Sequence, residues 1–68
     1  MEYILIYDMP RDKKTLHVQV NRKLHAMKAE KLQHSIWQSE LLENLKEIAN
    51  FIRAAGGEAS VLEKKVVF

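Results

Sequence analysis

The sequence predicts a two-layer α/β sandwich, and three observations carry that expectation. An apolar β-rich run opens the chain, two stretches with helical periodicity follow, and strand-like segments separate and close them. The order is β-α-β-α-β. Strands alternating with helices could also build a parallel doubly wound sheet, but 68 residues are too few to cover both faces of one. Residues 1–68 are therefore read as a single domain with helices on one face of a small sheet.

The first strand is Tyr3-Ile4-Leu5-Ile6-Tyr7, apolar on both faces, ending at Asp8-Met9-Pro10. Its length and its β-branched and aromatic content favour a buried strand over a helix. Proline pushes the residue before it toward extended conformations, which assigns Met9 to the strand exit. Asp12 is positioned to cap a helix, because its carboxylate can accept from free amides of the first turn. Leu16, Val20, Leu24 and Met27 then recur at helical spacing over about four turns.

Lys31-Leu32-Gln33-His34-Ser35-Ile36-Trp37 alternates with period two and reads as a strand; the alternation leaves open one strand or a bulged pair. Ser39 is the expected cap of a second helix, with Glu40 and Glu43 near the positive end of its dipole. Its core stripe is Leu41, Leu45, Ile48 and Ile52, widened by Leu42, Phe51 and Ala55. Gly56-Gly57 supplies a left-handed stop. The segment from Ala59 to Phe68 holds one further strand and a short apolar end, Val66-Val67-Phe68, that could form another.

A domain this small buries only about 60% of its unfolded surface and usually needs reinforcement. With no cysteine, disulfides and thiolate metal sites are excluded. Self-association into a homodimer is the remaining expectation, and it would cover the second face of the first strand. Eleven Lys and Arg against nine Asp and Glu give a net charge of +2, which permits a phosphate-binding patch without demanding one. No apolar run approaches the ~20 residues that span a bilayer, and the start lacks the basic region of a signal peptide. The expectation is a cytoplasmic protein with no membrane partner.

No standard catalytic motif is present. His17, His25 and His34 are too dispersed for a metal site on this reading. Asp8 stands out, because a rigid strand projects it beside a turn. Such a carboxylate is a candidate ligand for a hard cation, and two copies of it would meet across a dimer axis. The competing reading is a turn-capping aspartate. Arg11, Lys13 and Lys14 cluster at the start of the first helix, where cations oppose the dipole, a small cost that fits a phosphate-facing role. A solvated helix face is the commoner explanation of such a cluster. Trp37 is the only tryptophan and is assigned to packing rather than base stacking.

Tyr3-Ile4-Leu5-Ile6-Tyr7-Asp8-Met9 resembles the opening strand of the CRISPR-associated protein 2 superfamily, an apolar run closing in Tyr-Asp-Ile or similar. Asp12-Lys13-Lys14 is similar to its acidic-then-basic helix start. Leu32-Gln33-His34-Ser35-Ile36-Trp37-Gln38 resembles its Val-Gln-x-Ser-Val-Phe-Glu, with Gln38 at the position of the Glu. The resemblance runs along nearly the whole chain. It implies an α+β ferredoxin-like two-layer sandwich, a small antiparallel sheet with two helices on one face, assembled as a homodimer. It also implies Mg2+-dependent endonuclease activity on RNA or DNA, with Asp8 as catalytic and metal-binding residue. Arg11, Lys13 and Lys14 would then contact the nucleic-acid backbone. In the CRISPR adaptation complex such a dimer bridges DNA between integrase dimers without catalysis, so the integrase is an implied partner. The related virulence-associated protein D toxins share the fold and cleave RNA.

Overall fold

The computed structural model describes residues 1–67. The elements are β1 (Tyr3–Asp8), α1 (Lys14–Ala26), β2 (Glu30–Gln33), β3 (Ile36–Ser39), α2 (Leu42–Ala54) and β4 (Glu58–Glu63). The strands form one sheet in the order β2-β3-β1-β4, and every neighbouring pair is antiparallel. Each helix joins strands that are not neighbours, since β3 lies between β1 and β2 and β1 lies between β3 and β4. This is the α+β two-layer arrangement of the ferredoxin-like fold.

Alternation along the central strand sorts its side chains. Leu5 is fully buried between its cross-strand partners Trp37 and Val61. Tyr3 and Tyr7 share that side and pack against the core. Ile4 and Ile6 face the other side, with Leu62 beside Ile4 and Ile36 beside Ile6. The helices complete the core with Leu16, Val20 and Leu24 from α1 and Leu45, Ile48, Ala49 and Ile52 from α2. Each large apolar side chain fully buried there stabilises the fold by roughly 1.5–3 kcal/mol. Leu41, expected in the stripe, is instead the residue before α2 and is half exposed.

Both helices end the same way. Gly57 N–H donates to Ile52 C=O at 2.9 Å and Gly56 N–H to Arg53 C=O at 3.1 Å. Ala29 N–H donates to Leu24 C=O and Lys28 N–H to His25 C=O, each at 3.0 Å. This paired closure satisfies the last carbonyls of a helix and requires a left-handed residue. Gly56 takes that conformation at φ 94° without a side-chain penalty, whereas Lys28 takes it at φ 58°.

The segment left open as one strand or a bulged pair is a bulged pair, a hairpin in which His34 and Ser35 form the turn and Leu32 is the extra residue between Lys31 and Gln33, while both expected helix caps need correction. The turn has no glycine, and Ser35 itself adopts φ 65°. Asp12 does not cap α1, which begins after Lys13 with no side-chain cap. Ser39 accepts from Leu41 N–H at 3.0 Å, a turn just ahead of α2 rather than a cap within it. At the C-terminus Val66 and Val67 lie beyond β4 in no regular element, and Phe68 lies outside the described residues.

Candidate functional site

The C-terminal end of β1 carries the candidate site. Asp8 closes the strand, exposed, on the side of the sheet away from the helices. Its cross-strand partner is Glu58, the first residue of β4 and also exposed. Two carboxylates directly opposite in a ladder repel, so this pairing costs the sheet stability. Asp8, Pro10, Arg11, Gly56, Gly57 and Glu58 surround an open hollow of about 340 Å³. The sequence reading singled out Asp8 but missed Glu58, whose place follows from strand register.

The segment after Asp8 is held on three sides. Met9 is buried in the core. Pro10 C=O accepts from Lys13 N–H at 3.2 Å and lies 3.0 Å from Nε2 of half-buried His17. The third restraint comes from α2. A Cβ on Gly57 would stand 2.8 Å from Asp8 C=O and 2.7 Å from Ile52 Cγ2, so only glycine lets the helix end approach the strand this closely.

The three basic residues have different surroundings. Arg11 is exposed on the hollow beside Asp8. Lys13 lies at the end of α2, where its ammonium donates to Ala55 C=O at 2.5 Å and favourably meets the negative end of the helix dipole. Lys14 is exposed at the first residue of α1, beside a second hollow shared with Thr15, Gln19 and Phe51. Only Arg11 therefore shares the hollow of Asp8. Lys23, farther along α1, stacks over Phe51 with Nζ 4.7 Å from the ring centre.

The histidines are separate. His17 braces the β1–α1 segment, exposed His25 meets Trp37 edge-to-face at 5.3 Å, and His34 sits in the hairpin turn rather than on a strand. Trp37 is a core residue at 1% exposure, as expected, and its Nε1–H donates to Tyr7 Oη at 3.1 Å. Burial pushes the Tyr7 phenol above its ordinary pKa, and the Trp37 hydrogen bond partly opposes that. Among the described residues no group of three or more His, Asp or Glu is placed to hold a metal ion. The Asp8–Glu58 pair still suits magnesium by its chemistry: carboxylate oxygens are hard donors, and this ion commonly takes one or two of them with water and substrate phosphates.

No protein-family model matches the chain, and no curated protein matches it. Among the described residues no helix is long and apolar enough to cross a membrane.

Proposed function

We propose that this chain is a homodimeric, metal-dependent phosphodiesterase acting on RNA or DNA, as its resemblance to the CRISPR-associated protein 2 superfamily implies. The observation that carries the reading is the pairing of Asp8 with Glu58 on a hollow that also presents Arg11. Asp8 and Glu58 would hold a magnesium ion within one subunit, supplying the second carboxylate that the sequence suggested would come from another copy. Held by these two carboxylates, a divalent cation would supply neutralisation of phosphate charge and a more acidic bound water. Arg11 and Lys14 engage the phosphate backbone, which orients a strand without reading its sequence. Lys13 contributes to that field from its post at the end of α2. His17 and Gly57 keep the Asp8 segment in place.

The test is cleavage of RNA and DNA with and without magnesium, comparing wild type with Asp8→Ala and Glu58→Gln. Loss of magnesium-dependent cleavage in Asp8→Ala supports the reading; equal rates overturn it.

A second reading is favoured by the two-carboxylate limit of the site: a non-catalytic dimeric adaptor that binds duplex nucleic acid, in CRISPR spacer acquisition beside the integrase. Salt-sensitive binding that survives Asp8→Ala, with no cleavage, is its signature. A stand-alone toxin-like ribonuclease is the same chemistry in another genomic setting.

A further inference from the structure

The two helices run in opposite directions over the sheet: the start of α1 lies at the end of α2, and the end of α1 at the start of α2. Two hollows open along the seam between them, each with one wall from either helix. In the first, of about 500 Å³, Leu16 and Gln19 of α1 face Phe51 of α2 and the adjoining Ala55. In the second, of about 300 Å³, Lys23, Ala26 and Met27 face Asn44, Glu47 and Ile48. Their floors are apolar, because Leu16 and Ile48 are buried and Met27, Phe51 and Ala55 half-buried. Lys23 marks the boundary. It lines the second hollow while its ammonium lies 4.7 Å from the centre of the Phe51 ring in the first.

Charge along the seam is lopsided. From Lys13 to Ala29 the chain carries five Lys and Arg and no Asp or Glu. Among the described residues the ion pair is Lys46–Glu43, within α2, so no carboxylate is bonded to Lys23. Asp12 borders the first hollow and Glu47 the second, which leaves the cation without a counter-charge where the hollows meet.

We propose that this seam docks an acidic amphipathic helix of another protein, with one apolar side chain in each hollow and a carboxylate on Lys23 between them. Spacing fits a helix. Measured along α1, the hollows are about eight residues or roughly 12 Å apart, and a helix presents its i and i+7 side chains on one face about 10.5 Å apart. An extended peptide would find no strand edge on this side of the molecule, whereas a helix satisfies its own backbone. A nucleic-acid backbone could meet Lys23 but offers nothing apolar to Leu16, Phe51, Met27 and Ile48. The seam shares no lining residue with the hollow of Asp8, so the assignment does not depend on cleavage.

The experiment is fluorescence anisotropy with a short labelled peptide, held helical by a side-chain bridge, that carries leucines at i and i+7 and glutamates between them. A scrambled peptide and one with lysines in place of the glutamates are the comparisons. The proteins are wild type, Lys23→Glu and Ala26→Trp, the last filling the second hollow from an exposed position, each checked for folding by circular dichroism. Wild type is expected to bind the acidic peptide saturably and the scrambled one far less. Lys23→Glu should bind it about tenfold more weakly and should prefer the lysine peptide. Ala26→Trp should weaken binding of either peptide. Equal binding of the scrambled peptide, or acidic-peptide binding untouched by both substitutions, overturns the proposal. So does a wild type that ignores the acidic peptide, and if it then binds a short DNA duplex that Lys23→Glu loses, the seam belongs to nucleic acid instead.

Discussion

Lys13 and Ala55 are separated by 42 residues in sequence and joined by one hydrogen bond, from the ammonium of the first to the carbonyl of the second. The bond ties the segment entering α1 to the last turn of α2. The same ammonium would lie 3.2 Å from a Cβ on Gly56, so it is lodged against the helix end. A lysine that looks like part of a basic patch in sequence thus has a structural task.

Replacing Lys13 by methionine should therefore cost stability, about 0.3–1 kcal/mol, the typical worth of a cation at a helix C-terminus on the surface. Urea unfolding measures it. Nucleic-acid affinity should fall less in Lys13→Met than in Arg11→Ala or Lys14→Ala, as filter binding at two salt concentrations would show. An equal fall in all three would place Lys13 among the phosphate contacts.

The twin helix ends make a paired prediction. Lys28→Gly should stabilise by about 0.5–1 kcal/mol, since a side chain at positive φ is strained there. Gly56→Ala should destabilise by a similar amount. Gly57→Ala should cost more than either, because its Cβ collides with Asp8 backbone and Ile52. Thermal unfolding of the three variants ranks them.

Glu58→Gln should separate stability from activity. Removing one of two facing like charges is expected to stabilise the β1–β4 ladder by about 0.2–1 kcal/mol. On the proposed function the same change lowers magnesium-dependent cleavage. A variant that gains melting temperature and keeps full cleavage would remove Glu58 from the site.

Tyr7 sets an alkaline limit. Its phenol is held above the ordinary value by burial, so the native state keeps its proton where the unfolded chain has lost it. The stabilisation is full below the unfolded pKa, near 10, and is lost as pH rises through the higher folded value. Wild type should lose stability above about pH 10 more steeply than Tyr7→Phe. At neutral pH that variant should itself be weaker by about 1–3 kcal/mol, because it leaves the buried indole N–H of Trp37 without its acceptor. Denaturant titrations across pH 7–11 measure both effects.

The elements legible in the sequence were those with local signals. Tyr3–Tyr7 is strand because its run is apolar and proline follows; Leu16, Val20, Leu24 and Leu45, Ile48, Ile52 repeat at helical spacing; Gly56 marks a stop. The hairpin was hidden because Lys31–Trp37 alternates straight through the turn, and Ser35 takes a conformation that usually announces itself with glycine or asparagine. Asp12 reads as a cap locally, but the chain enters the helix after Lys13. Asp8 was visible from its place at a strand end. Glu58 was not, since nothing near it in sequence says it will lie opposite residue 8. The same is true of Arg53, whose grip on Ala59 exists only once α2 and β4 are packed.

The burial of Trp37 gives the molecule a built-in optical gauge. As the sole indole, 1% exposed and set across from Leu5 on the central strand, it should emit at short wavelength in the native state and shift red on unfolding. Its ring also touches the exposed imidazole of His25. One unlabelled sample can therefore report on the sheet by its own emission, read from the side where that strand packs under α1.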